Sequence, residues 1–571
     1  MTALPQQAES LGPYQPYFEA ALQRAEAEGF VRCIWAKDAA LWKSTAEHQK
    51  IINNSLGWLT VAEWTAQRVD QMQTFAREVR EAGFTHLMLL GMGGSSLCPE
   101  VFRRTFHRRD GFPELLVLDT TDPYTIADYE SRVDLAKTLF IVSSKSGSTI
   151  EPLSFYKYFF ERVRSVKHDQ AGENFLAITD PGTLMERIAR EAAFRQIFLN
   201  PPDIGGRYSA LSYFGMLPAT LMGLDTAGLL HNAIGAMEAS GTSIPSEANA
   251  ALRLGCALGA LANAGSDKLT LVTSPDVSSL GLWIEQLVAE STGKEGKGIV
   301  PVVGEPLGPP EAYGTDRVFV VLSADRLDEE TESRLRSLEG KGHPVLRRNL
   351  SDASNLCAEF FIWEFATAVA GRLLEINPFD QPNVQESKDN TNSLLAEFKK
   401  NGSLPDQALL ASADGLKVYG AAGGATPGST TADKPPLDVI KDHLSRVKPD
   451  DYVALLAYIQ ETNAHDDQLQ AIRMRLRDRF QVATTTGYGP RFLHSTGQLH
   501  KGGPDSGVFI QITCEANTDL AIPGEPYTFG ILRQAQALGD FSSLASRDRR
   551  AIRVHLGRDV DAGLKKLLAS L

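Results

Sequence analysis

From about residue 85 the chain alternates short, continuously apolar runs with longer segments whose apolar residues return every three or four positions. Apolar runs of this length read as strands buried on both faces, and the intervening period as amphipathic helices. The predicted strands are THLMLLG (85–91), LLVLD (115–119), LFIVSS (139–144), FLAITD (175–180) and QIFLN (196–200). Strands separated by helices predict a doubly wound parallel sheet. A second unit opens after about residue 240, with helices at 245–263, 279–291 and 327–339 around strands LTLVTS (269–274), VFVVLS (318–323) and PVLRR (344–348). Helix-period sequence continues over 355–376 and, after NPFDQPN, to Lys400.

Outside these units, Thr60 and Glu63 form a capping-box pattern and Gly83 a stop, which predicts one helix over 60–83. Residues 411–437 are rich in Gly, Ala, Ser, Thr and Pro, the composition of a linker or loop. Beyond it, DYVALLAYI (451–459), QVATTTGYG, GVFIQITC (507–514) and IRVHL (552–556) again alternate with helical periods. The expected organisation is a helical N-terminal arm (1–80), α/β units at 81–238 and 239–410, a linker (411–437) and a C-terminal α/β region (438–571).

At 571 residues, 43% hydrophobic and 22% charged, the chain has the composition of a large globular protein. Its 57 basic and 70 acidic residues leave a net charge of −13, which gives no support to nonspecific nucleic-acid binding, though a small anion could bind in a local basic pocket. The five cysteines are scattered without a C-x-x-C pair, against a disulfide framework or a zinc site. The N-terminus has no basic and apolar leader pattern, and the most apolar stretch, 360–374, is interrupted by Glu364 and Arg372. No membrane association is expected, and a cytoplasmic location is.

Six segments carry candidate chemistry. Gly91-Met92-Gly93-Gly94-Ser95-Ser96 follows a predicted strand and precedes a helix, a place where backbone N–H groups can cradle a phosphate; a tight turn would have the same sequence. Ser143–Thr149 puts five hydroxyls and Lys145 at a predicted helix N-terminus, again suited to a phosphate monoester or to simple capping. Two such loops at the carboxyl edge of one sheet favour phosphate binding. Gly205-Gly206-Arg207 offers a fixed positive charge beside a free backbone. Gln286 and Glu290 share a helix face at i, i+4, and Lys388 sits in the first helical turn after Asn377–Asn383. Arg491–Pro504 concentrates His494 and His500 among glycines and hydroxyls. No carboxylate lies between those histidines, and no metal site is expected.

In order, GMGGSSL, SSKSGSTIE, GGRYS, ESTGK and NPFDQPNVQESK resemble the successive active-site motifs of the glucose-6-phosphate (phosphoglucose) isomerase family. With FLHSTGQLHKGGP the layout is most similar to the isomerase part of bifunctional transaldolase/phosphoglucose isomerases, but no room precedes residue 91 for a barrel of about 250 residues. The resemblance implies two sugar-isomerase domains, each a three-layer αβα sandwich with a parallel-rich sheet, and aldose–ketose isomerisation of glucose 6-phosphate and fructose 6-phosphate without metal or organic cofactor. It also implies a homodimer.

Residue by residue, the resemblance implies that Gly94, Ser95, Ser144, Lys145, Ser146 and Thr149 hold the phosphate and that Gln286 and Gln381 line the site. Arg207 would stabilise the enediolate. Glu290, in ESTGK where the family has ESNGK, would be the proton-transferring base. Lys388, in QESK where the family has ELGK, would assist ring opening. The family's ring-opening histidine lies between the ESNGK and FDQ motifs, where this chain offers only His343, so His494 is the expected substitute and His500 its competitor. The alternatives are a noncatalytic sugar-phosphate sensor and an isomerase of a related phosphosugar such as mannose 6-phosphate.

Overall fold

The computed structural model describes residues 6–420 and 434–571. The predicted parallel sheet forms in the order Glu114–Leu118, His86–Leu90, Thr138–Ser143, Phe175–Thr179, Gln196–Leu199, parallel throughout. Leu87 pairs with Leu115 on one side and Leu139 on the other, so this interior strand is apolar on both faces because helices cover both. The loops beginning at Gly91 and Ser144 leave the carboxyl ends of adjacent strands, which brings the first two motifs together.

The second sheet runs Gln6–Ser10, Val345–Asn349, Arg317–Ser323, Lys268–Thr273, Val300–Val302. Its first strand corrects the expectation of an all-helical N-terminal arm: residues 6–10 pair antiparallel with 345–349 and close that edge. The 60–83 segment is also two helices, Val61–Ala66 and Val69–Glu81, with Arg68 at φ −117° between them and no capping bond from Thr60. The two units meet through helices Thr226–Glu238 and Leu356–Leu373, and within the second unit Ala250–Asn263 packs closely on Leu356–Leu373. Gly255 permits this approach, since a Cβ there would stand 2.5 Å from the carbonyl oxygen of Ala366.

The C-terminal region builds a third sheet, Leu409–Ala413, Leu416–Tyr419, Arg550–His555, Gly507–Thr513, Tyr452–Tyr458, Ala483–Tyr488. Its first two strands form a hairpin inside what composition suggested was linker; residues 421–433 of that stretch lie outside the described residues. This region is packed against the first unit. Phe529, Leu532 and Ala535, on the helix Phe529–Ala545, share a core with Phe140, Phe155 and Phe175, and the Phe155 and Phe529 rings stack at 6.0 Å.

Candidate active site

The turn Gly205–Ser209 packs directly on the Gly91–Ser96 loop. A Cβ on Gly94 would lie 2.0 Å from the carbonyl oxygen of Gly206, so glycine is required by contact at this point. That packing delivers Arg207 to the interior, 2% exposed, where Nη1 stands 3.0 Å from Oε1 of Glu290. All five guanidinium hydrogens are engaged: Nε donates to Ser291 Oγ at 2.6 Å, Nη1 to Glu290 and to Gln381 Oε1 at 3.0 Å each, and Nη2 to the carbonyls of Pro378 and Asp380 at 2.7 and 3.0 Å. Arg207 therefore ties the helix Leu280–Thr292 to the 377–381 turn and keeps a full positive charge beside the carboxylate. A direct bond from Arg207 to an oxyanion would have to displace Gln381 or Glu290.

Gln286 sits one turn before Glu290, and its Nε2 donates to Glu290 Oε2 at 3.0 Å and to the His494 carbonyl at 2.7 Å. Buried Lys294 closes the same side, donating to Asp380 Oδ1 at 2.7 Å. Burial pushes the Lys294 ammonium down to about 8 against the pull of Asp380, with Arg207 adding to the depression.

A cavity of about 210 Å³ opens beside this cluster, lined by Ser146, Thr149, Glu151, Lys388, His494 and Gln536 among others. Ser146 and Thr149 stand at the N-terminus of the helix Ile150–Lys167, their hydroxyls 3.3 Å apart, where unpaired N–H groups and the helix dipole suit a phosphate. Lys388 faces the cavity and has no ion-pair partner among the described residues. His494 donates or accepts through Nε2 at 3.1 Å from Glu151 Oε1. Burial raises the proton affinity of Glu151, but the charge and hydrogen bond of His494, and the charge of Lys388, outweigh it and hold the carboxyl below its usual range. The turn carrying His494 is clamped from behind by Arg491, whose Nε and Nη2 each lie 2.8 Å from the Asp119 carboxylate at the end of a first-sheet strand.

The remaining expected residues are placed differently. Lys145 turns away from the cavity, paired with Asp180 and donating to the Pro202 carbonyl at 3.1 Å, so it is removed from the set that lines the site. Ser144 and Ser95 are buried and do not line the cavity; Ser144 Oγ has no hydrogen-bond partner, and the Ser95 carbonyl accepts from Ser143 at 2.8 Å. His500 is a core residue, packed on Tyr452 and Phe509 with Nδ1 3.0 Å from the Tyr452 hydroxyl. Burial, then the charges of Lys501 and Arg549, push its imidazole well below the ordinary value. It cannot compete with His494. Sequence reasoning missed Glu151 and Gln536; the glutamate was present in SSKSGSTIE, two residues beyond the last hydroxyl.

Two layered α/β units with a hydroxyl-lined helix N-terminus and a buried Arg–Glu pair at their junction define a protein of the double sugar-isomerase type. Residues 49–299 match the family described as "Phosphoglucose isomerase". Over those residues, less than half of its length, the chain is similar to the glucose-6-phosphate isomerases. It is 28% identical over 377 residues to the glucose-6-phosphate isomerase of Rubrobacter xylanophilus, covering 57% of this chain and 85% of that one. The enzyme of that name from Symbiobacterium thermophilum is 29% identical over 394 residues, covering 60% and 87%. Among solved structures, a hypothetical protein from Thermus thermophilus aligns with a TM-score of 0.56 at 24% identity, over 68% of this chain and all of that one. A glucose-6-phosphate isomerase from Chlamydia trachomatis aligns at 0.53 and 17%, over 67% and 86%. Both share the fold.

Proposed function

We propose that the chain interconverts glucose 6-phosphate and fructose 6-phosphate by ring opening followed by proton transfer through a cis-enediolate, with no cofactor. The observation that carries this reading is the buried Arg207–Glu290 pair, joined through Gln286 to His494 at the edge of the hydroxyl-lined cavity. Removing a proton next to a carbonyl needs a base and a positive charge for the oxyanion that forms. Glu290 is the base and Arg207 the charge. The sugar is mostly a closed ring in solution, so a proton must first reach the ring oxygen; His494, with Lys388 beside it, takes that step. Ser146 and Thr149 anchor the phosphate and use nonreacting binding energy to orient the carbons.

All of these groups come from one chain, and a homodimer is the assembly proposed for it. No helix among the described residues is long and apolar enough to cross a membrane, and all five cysteines are free, which fits a cytoplasmic location. The test is NADPH formation from fructose 6-phosphate by the purified chain in the presence of excess glucose-6-phosphate dehydrogenase. Steady turnover is expected. Sugar-phosphate binding without turnover would instead indicate a sensor, and turnover confined to mannose 6-phosphate would indicate a different isomerase.

A further inference from the structure

The family match ends at residue 299, yet one wall of the cavity is built by residues far beyond it. Gln536 lies in the middle of the helix Phe529–Ala545, 1% exposed. Its Nε2 donates to Glu151 Oε1 at 2.7 Å, the same oxygen that lies 3.1 Å from His494 Nε2. Its Oε1 accepts from the hydroxyl of buried Thr121 at 2.7 Å, so both ends of the amide are fixed and its orientation is set by chemistry: only the NH2 end can face a carboxylate. The other carboxylate oxygen, Glu151 Oε2, is buried without a partner. Apart from Gln536 and His494, no side chain among the described residues hydrogen-bonds to Glu151. The other groups facing it are the Lys388 ammonium and the Tyr458 phenol.

We propose that Gln536 is a positioning residue for ring opening: it holds the Glu151 carboxylate against His494, so that the C-terminal region governs the ring-opening half of the reaction while the Glu290–Arg207 pair governs proton transfer between carbons. This rests on the isomerase reading. With Gln536 in place, Glu151 keeps an oxygen on Nε2 of His494, fixing the ring's orientation for proton delivery in ring opening. Without it, a buried carboxylate with one donor fewer either protonates or turns, and His494 loses its counter-charge. The helix that carries Gln536 is rigidly docked through Phe529, Leu532 and Ala535 on the first unit, which is what such positioning requires.

The test is Gln536→Met, which keeps volume and removes the donor, with Thr121→Val as a second variant that frees only the far end of the amide. The His494 ring signal is followed in histidine-labelled full-length protein, identified by its loss in His494→Gln. The Nε2 resonance, which reports the hydrogen bond to Glu151, should move clearly in Gln536→Met and by less in Thr121→Val, because the carboxylate that accepts it has lost its other fixed partner. With 2-deuterio glucose 6-phosphate, kcat/KM should drop about tenfold and the isotope effect on it should shrink toward unity, because ring opening has become the slower step. A His494 Nε2 resonance unmoved in both variants overturns the proposal, since a purely structural role would cost stability without changing that hydrogen bond. Loss of isomerisation in the unmodified chain would refute the isomerase reading but would leave the His494 Nε2 resonance as an independent measure of the Gln536 contact.

Discussion

Replacing Arg207 with lysine keeps the charge beside Glu290 and removes the fork. The guanidinium satisfies five acceptors, two of them main-chain carbonyls of the 378–380 turn and one the base itself. An ammonium has three hydrogens, so at least two of those acceptors are left without a donor, and each buried acceptor so orphaned costs about 1–3 kcal/mol. The turn that carries Gln381 then loosens from the helix that carries Glu290. Glu290 and Gln381 are then held less firmly beside the reacting carbons, and a misplacement of about 1 Å at a reacting group costs roughly 100-fold, here expected in kcat. The phosphate end is untouched, because Ser146 and Thr149 belong to a different loop, so KM should stay within about threefold. In the coupled NADPH assay Arg207→Lys should show the loss almost wholly in kcat. Turnover within about threefold of wild type would refute the idea that the fork geometry, and not merely a nearby charge, organises the base.

Two further outcomes follow from the same structure. Ser146→Ala combined with Thr149→Ala should raise KM for phosphorylated sugars by at least about tenfold, since two hydrogen bonds to a charged phosphate are worth about 3–6 kcal/mol together; an unchanged KM would remove the phosphate from that helix end. Glu364 is buried in the helix Leu356–Leu373 with both carboxyl oxygens unpartnered, and burial raises its proton affinity well above the ordinary range. A group with raised folded affinity contributes stability that is full below its unfolded value and is lost as pH rises, so Glu364→Leu should stabilise the chain by about 1–3 kcal/mol, more at pH 8 than at pH 5 in denaturant titrations. An advantage that does not grow with pH would show that Glu364 is not held neutral.

Most strands were legible because their apolar runs are continuous and Gly or polar turns bound them. The exceptions have physical reasons. Gln6–Ser10 is polar and forms a strand only because the edge at 345–349 accepts it. The hairpin at 409–419 was hidden in a Gly-rich stretch, although Asp414-Gly415, both at positive φ, is a strong two-residue hairpin turn. In the site, Arg207, Glu290 and Gln286 could be read because their motifs lie in a fixed order, and the fold brings them into one hydrogen-bonded cluster. The pairing of Lys145 with Asp180 was not legible, because Asp180 ends a neighbouring strand 35 residues later and sequence alone does not weigh a phosphate against a resident carboxylate. Glu151, His494 and Gln536 meet across separations of 343 and 385 residues, a contact no local pattern encodes.

The most direct test of the central claim is the turnover of Glu290→Gln with fructose 6-phosphate. The change is nearly isosteric and leaves the cavity lined by Ser146, Thr149 and Lys388 intact. A base worth about 100–10,000-fold should vanish from kcat while KM stays near wild type. Retained turnover in that variant would mean that the proton is carried by another group and that the Arg207–Glu290 pair is a structural ion pair.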